Sequence, residues 1–413
     1  MKILHINKFD TLGGAARSAY RLHRSLIEFN ITSTFFADRK NSDDWTVDSH
    51  TSNFSRVLCI VKPQISSYLS IFDNEEKSFK SYAVFPSSLV NIINNSDCDI
   101  VNLHWIGLEM LSISDIAKIN KPIVWTFHDM WPFSGAKHIT FPTQNLLKNN
   151  NSSLLNHLIK FDLDKWVLNR KRKYWTKKFN IVSPSLWLYN NIKKSDLFQS
   201  YPVTIIPNPI DVNFWKPIDM VFSRKQFNLA LDKKIILFGA MGGASDPNKG
   251  FDLLSSALKH LKLLWPGCEL VVFGQSKPKV DFNFNFPVHY LGRLNDDVSL
   301  RLIYSAADVM VVPSRIENLP NTAIESMCCG TPVVGFNNSG LLDIVDHLRD
   351  GYLAKAFDTF DLANGIAHVI GENSKLLSES ARKSAVKNFS HHIIAMKYIE
   401  LYRHILIPNT DIS

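Results

Sequence analysis

The chain has 413 residues, more than one ordinary core holds and comfortable for two domains. Its charged fraction of 20% and hydrophobic fraction of 45% are those of a soluble globular protein, and no apolar run reaches the length of a membrane span, which excludes disordered and membrane-spanning classes. The net charge of +8 lies wholly in one half: residues 1–206 hold 25 Lys+Arg against 17 Asp+Glu, whereas residues 207–413 hold 21 of each.

The start, MKILHINKFD, has too short an apolar core for a leader peptide and alternates like a first strand, predicted over residues 2–7. Gly13-Gly14 then opens a helical stripe of Ala15, Ala19, Leu22 and Leu26. Strand, glycine turn and helix together let a backbone approach a phosphate or sugar closely, although Gly-Gly alone is as often only a tight turn. Parallel strands are predicted over 99–103 and 122–127, each ending in polar residues, His104-Trp105 and His128-Asp129. Residues 143–157, rich in Asn, Ser and Leu, read as a surface insertion. The run KWVLNRKRKYWTKK (165–178) carries seven basic and no acidic residues, with Trp166, Trp175 and Tyr174 interleaved. It is either a solvated helix face or a contact for an anionic membrane surface or acceptor diphosphate. No nucleic-acid motif accompanies it.

Strands continue at 180–184 and 203–207, and IIPNPID (205–211) breaks regular structure and marks the domain boundary. A second alternation follows: a strand at 234–239, a helix from Gly250, strands at 269–274 and 288–291, and the buried strand 309–312. These rhythms predict an α/β protein with two doubly wound sheets. A last helix, 391–406, comes after the second sheet is complete. The five cysteines have no metal spacing and fit free thiols in a reducing cytoplasm.

Residues 307–336, ADVMVVPSRIENLPNTAIESMCCGTPVVGF, are the most informative stretch. They predict a strand, a loop with Glu317 at its tip, a helix opened by Pro320 and carrying Glu325, a stop near Gly330, and a second strand at 332–336. The two carboxylates stand at a strand-to-helix crevice, the edge where open α/β sheets take nucleotides. The whole pattern, Pro-Ser-x-x-Glu-x-x-Pro-x-x-x-x-Glu-x-x-x-x-Gly-x-Pro-Val-Val, closely resembles the donor-site signature of family 4 retaining glycosyltransferases of the GT-B fold. PNPID (207–211), DPNKGFDLL (246–254) and SGLLDIVDHLRDGYLA (339–354) resemble further segments of that family. WTFHDMWPFSG (125–135) resembles a narrower subgroup associated with colanic acid, O-antigen and capsule polysaccharides.

The resemblance implies a GT-B fold: two Rossmann-like domains facing a central cleft, residues 1–205 on the acceptor side and 206–390 binding the donor, with the terminal helix (391–413) returning to the first. It implies that Lys249 holds the donor pyrophosphate, that Glu325 accepts from the ribose hydroxyls, and that Glu317 holds the donor sugar. The Asn318-Leu319-Pro320 loop offers backbone groups, Gly13 and Gly14 face the diphosphate, His128 sits beside the donor sugar, and Arg293 lies near the base. His104 and Trp131 are acceptor-side candidates, although Trp131 suits packing equally. The implied activity is metal-independent transfer of a sugar from a nucleotide sugar to a lipid-linked glycan, in the cytoplasm or on the inner face of its membrane. No Asp-x-Asp motif is present, and no cofactor is expected. The sequence departs from the family pattern in having no arginine just ahead of Lys249. The aligned places are Ala240 or Asn248, with Arg315 a distant substitute. That departure motivates an alternative, a non-catalytic nucleotide-sugar-binding scaffold.

Overall fold

The computed structural model describes residues 1–72, 79–140, 162–239, 242, 246–277 and 286–407. The insertion expected at 143–157 lies outside them. The chain divides into two compact units, residues 1–206 with 394–413, and residues 207–393.

The first unit is built on strands β1 (Lys2–Phe9), β2 (Thr32–Arg39), β3 (Val47–Asp48), β4 (Ile100–Leu103), β5 (Ile123–Thr126), β6 (Asn180–Ser183) and β7 (Val203–Ile205). They form one sheet in the order β3-β2-β1-β4-β5-β6-β7, and every pairing is parallel. The order reverses between β1 and β4, so a crevice opens at the carboxyl ends of these strands. One face packs on an aromatic-rich core that includes Trp125, Phe127, Trp131, Trp175 and Phe198. The other buries Ile3, Ile100, Val124 and Val182 against Ile394, Ala395, Tyr398, Ile399 and Tyr402 of the last helix, His391–Leu406. That helix is pinned by two buried hydroxyls: Tyr402 bonds Asn102 at 2.7 Å and Tyr398 bonds Thr126 at 3.1 Å.

The second unit holds β8 (Lys234–Gly239), β9 (Cys268–Phe273), β10 (Val288–Tyr290), β11 (Val309–Val312), β12 (Val333–Phe336) and β13 (Gly351–Ala354). Their order is β10-β9-β8-β11-β12-β13, again all parallel, with the reversal between β8 and β11. Apolar clusters cover both faces. This is why β11 and β12 read as unbroken apolar runs. Two parallel, doubly wound sheets make the molecule α/β with two Rossmann-like halves.

The basic run 165–178 is not one exposed face. It belongs largely to the helix Leu163–Tyr174, where Lys171 is 0% exposed. The Lys171 Nζ donates to the carbonyls of Trp131, Ser134 and Gly135 and lies 4.0 Å from the Trp131 ring centre. Burial drives its pKa well below the ordinary lysine value, while Asp129 and Asp164 oppose that shift. The three carbonyls each need an N–H, which only the ammonium form can supply. Arg170 turns inward as well, donating to Tyr82 O and Ala83 O. Exposure is left to Lys165, Arg172, Lys173, Lys177 and Lys178.

Lys171→Met should therefore destabilise the fold by at least about 2 kcal/mol, because it orphans buried carbonyls. Lys173→Met on the same helix should shift stability by less than about 0.5 kcal/mol. Urea midpoints would check this; equal effects would show that Lys171 does not hold the 131–135 loop.

Candidate active site

In the second unit the site forms where the chain leaves β8 and β11. Asp246 accepts from Asn248 N at 2.9 Å and caps a short turn, Pro247–Lys249. Gly250 follows at φ +66°, and a Cβ there would lie 2.0 Å from Pro313 O, so only glycine lets the turn seat against the end of β11. Asn248 then zips the turn to the loop after β11. Its side chain donates to Ile316 O at 2.8 Å and accepts from Ile316 N at 3.0 Å, and its carbonyl accepts from Arg315 N at 2.8 Å.

This bracing brings Lys249 Nζ to 2.7 Å from Glu317 Oε1, in a pair that is only partly exposed. The negative charge of Glu317 raises the Lys249 pKa, outweighing burial, so the lysine is a fixed cation. Glu317 is held from the other side. Its N–H donates to Ser339 Oγ at 3.1 Å and its carbonyl accepts from Gly340 N at 2.8 Å. A Cβ on Gly340 would fall 1.4 Å from Asn318 O, so the Asn318-Leu319-Pro320 loop rests on bare backbone. Glu325 lies in the helix Asn321–Cys328 and is 3% exposed. The fully buried Tyr304 donates its hydroxyl to Glu325 Oε2 at 3.0 Å.

Arg315, the distant substitute for an arginine ahead of Lys249, is engaged with the turn itself. Its guanidinium forks onto Asp252 at 3.0 and 2.6 Å and so braces the turn instead. Asn248 is likewise taken up by the loop, and Ala240 lies outside the described residues. Arg293 is exposed beyond β10 and makes no ion pair among the described residues.

In the first unit, Asp10 closes the loop after β1 by accepting from the N–H groups of Thr11, Asn41 and Ser42. Burial works against its ionisation, but these bonds outweigh it and lower its pKa. Gly13, at φ +93°, precedes the helix Gly14–Glu28 with nothing within 4 Å of where its Cβ would be.

At the ends of β4 and β5, His104, Trp105, His128, Asp129 and His138 line a cavity of about 10 Å³, room for roughly one water. Asp129 accepts from Trp105 Nε1 at 2.7 Å and Trp131 N at 3.0 Å, and His138 Nδ1 lies 2.5 Å from it. Ser81 Oγ lies 2.8 Å from His138 Nε2, which completes the connectivity of a Ser-His-Asp triad. Ser81 is only 2% exposed, however, and its Oγ accepts from Leu108 N at 3.1 Å. The set therefore ties three loops together rather than presenting a nucleophile.

Both acceptor-side candidates are buried. His104 is 3% exposed, with both ring nitrogens taken by His5 and His128. Trp131 is 2% exposed and donates to Ser81 O, so it is a packing residue. His128 keeps partial exposure. Sequence reasoning missed His5, Ser81, His138 and Tyr304. His5, a polar residue inside an apolar strand, was the one with a readable signal.

The two halves have the architecture of GT-B glycosyltransferases. Residues 12–214 match the family described as Glycosyltransferase Family 4, and residues 232–372 match Glycosyl transferases group 1. The chain belongs to this glycosyltransferase family. It is 31% identical over 122 residues to the N,N'-diacetylbacillosaminyl-diphospho-undecaprenol alpha-1,3-N-acetylgalactosaminyltransferase of Campylobacter jejuni, covering 29% of this chain and 31% of that protein. It is 25% identical over 215 residues to the lipopolysaccharide 1,2-N-acetylglucosaminetransferase of Salmonella typhimurium, covering 48% and 55%. The chain spans about half the length, or less, of the curated relatives it matches. The structure of Anabaena Alr3699/HepE in complex with UDP and glucose shares the fold at a TM-score of 0.64 and 16% identity, over 98% of this chain and 100% of that one.

The buried histidines of the first unit give a pH signature. Burial lowers the pKa of His23 and His128 from 6.5 to about 4, and holds those of His5 and His104 well below 6.5. Each is neutral in the fold, yet the unfolded chain protonates it below about 6.5. Between pH 6.5 and 4 the unfolded state binds more protons, so stability falls as pH falls through that window. Asp38 and Asp44, held down to about 2, add their loss only below the ordinary value of 3.8. Urea midpoints should drop steadily from pH 7 to pH 5; a flat profile would mean these imidazoles are already charged in the fold.

Proposed function

We propose that this protein moves a sugar from a nucleoside diphosphate sugar to a glycan acceptor carried on a lipid, with retention of anomeric configuration. The observation that supports this most is Lys249, a fixed cation 2.7 Å from Glu317 at the carboxyl edge of a doubly wound sheet. A donor diphosphate would take Lys249 as its counter-charge, Glu317 would turn to the sugar hydroxyls, and Glu325 would receive the ribose. The bond that breaks joins the anomeric carbon to the diphosphate oxygen. Negative charge grows on that oxygen, and Lys249 with the loop N–H groups would stabilise it more in the transition state than in the ground state. The new bond forms between the acceptor oxygen and the same face of the anomeric carbon, and the acceptor proton passes to the departing phosphate. No metal enters this scheme. Glu317 and Glu325 are not a glycosidase pair, since Glu325 is buried against Tyr304.

Two relatives, an undecaprenol-linked and a lipopolysaccharide transferase, support a surface-glycan acceptor. They also support work beside a membrane, although no described helix is long and apolar enough to cross one. The scaffold reading gains from Arg315 and Asn248, both committed to bracing the turn rather than available for a diphosphate.

Thermal shift against UDP, GDP, ADP and their common sugars separates these readings. Ligand at ~100 times its dissociation constant should add about 2.7 kcal/mol of apparent stability. One base should stand out, Glu325→Ala should abolish that shift, and the product should keep the donor's anomeric configuration by NMR. Binding without transfer to any lipid-linked acceptor would favour the scaffold, and no binding by a folded protein would reject both. For membrane contact, Lys173→Glu, Lys177→Glu and Lys178→Glu together should reduce sedimentation with anionic vesicles at low salt. Unchanged sedimentation would remove that role.

A further inference from the structure

Three aromatic rings stand at the carboxyl edge of the first sheet. Phe9 ends β1 and Trp105 follows β4, the two strands between which the order reverses. That reversal is where an open α/β sheet takes its ligands. Lys8 N donates to Trp105 O at 2.9 Å, so the two strand ends stay joined up to the rings. The rings of Phe9 and Trp105 are tilted by only 16°, with centroids 6.4 Å apart. Phe79, two residues before Ser81, adds a third ring 6.1 Å from Trp105 and tilted by 18°. Such separations belong to offset rings, which leave part of each face uncovered. Phe79 is 57% exposed, and Phe9 and Trp105 are half-buried.

The rings are held in place. Trp105 donates from Nε1 to Asp129 at 2.7 Å and from its backbone N–H to Asn7 Oδ1 at 2.7 Å. A Cβ on Gly107 would fall 2.9 Å from the Trp105 ring, so bare backbone leaves the indole its room. His138, fixed by Asp129 and Ser81, packs on Phe79 with centroids 4.7 Å apart. Rigid aromatic faces at a ligand-binding edge are a contact surface organised in advance. At the end of β2, Arg39 lies over Phe9, its guanidinium 5.9 Å from the ring centre. That exposed guanidinium makes no hydrogen bond or ion pair among the described residues, so its N–H donors are unspent. A pyranose has an apolar C–H face and a rim of hydroxyls. The rings match the first and Arg39 matches the second. An alkyl chain would use only the rings, and a free phosphate only the guanidinium.

We propose that Phe9, Trp105 and Phe79, with Arg39 at their edge, form a shelf on which a sugar ring of the acceptor glycan stacks. This rests on the proposed transfer to a glycan. It gives the acceptor side to exposed residues in place of the buried His104 and Trp131.

The test is a proton–nitrogen correlation spectrum of full-length, deuterated protein labelled with ¹⁵N-tryptophan, titrated with the methyl glycosides of glucose, galactose and N-acetylglucosamine. The nine tryptophans give one indole signal each, and Trp105→Phe identifies that of Trp105 by its loss. At least one glycoside should move the Trp105 signal saturably. Phe79→Ser, at an exposed ring, should weaken that binding about threefold to tenfold, the range of one aromatic contact, and Arg39→Gln should weaken it as well. Phe54→Ser, at a ring 71% exposed on the helix Asn53–Ser67, should leave it unchanged. No response to any of the three glycosides would overturn the proposal, as would a response that Phe79→Ser leaves intact. A shift produced by hexyl phosphate alone would make the shelf a lipid contact and overturn it too. If Trp105→Phe does not fold, Phe79→Ser still decides, from whichever indole signals the glycoside moves. The titration contains no nucleotide. Failure of donor binding would therefore sink the proposed function and leave the sugar shelf standing, whereas sugar transfer without any glycoside response would sink the shelf alone.

Discussion

The contact on which the functional half depends is a backbone one: Gly250 against Pro313 O. With no side chain at Gly250, the turn carrying Lys249 reaches the end of β11, and Asn248 can then join turn to loop by three hydrogen bonds. Gly340 plays the same part on the other side of Glu317. A cation and a carboxylate are thus fixed at the strand ends by two positions where any Cβ would clash. Arg315 and Asp252 add a bidentate brace from outside, which a flexible lysine would not reproduce. Precision at such a site comes from rigid neighbours rather than from the charged pair itself.

The first unit uses a different device, buried polar groups that satisfy one another. Lys171 gathers three carbonyls, Asp129 gathers an indole, an imidazole and a backbone N–H, and Asp10 gathers three backbone N–H groups. Each group organises a loop at the carboxyl edge of the sheet. The cost is sensitivity to acid, because the same burial that keeps the histidines neutral penalises their protonation.

The second sheet was legible in the sequence because its central strands are buried on both faces and so read as continuous apolar runs. β2 was not, since TSTFFADR mixes polar and apolar residues without a period and its burial is irregular. The helix Asn53–Ser67 was missed for another reason. Cys59 and Ser66 are its buried residues, while Phe54 and Val57 are exposed, so its apolar pattern points the wrong way. The glutamates and Lys249 were visible through their motif. The roles of Arg170 and Lys171 were not, because a run of charges shows how many are present and not which way each one turns. Tyr304 acts through a partner 21 residues away, and no local pattern encodes such a contact.

Every role proposed for the donor site turns on Lys249 being the counter-charge for a diphosphate. Calorimetric titration of wild type and Lys249→Met with the preferred nucleoside diphosphate and its monophosphate tests it directly. Wild type should bind the diphosphate at least about tenfold more tightly than the monophosphate, a difference of about 1.4 kcal/mol. That advantage should vanish in Lys249→Met while monophosphate binding persists. An unchanged advantage in the variant would place the diphosphate elsewhere and rule out Lys249 as its counter-charge.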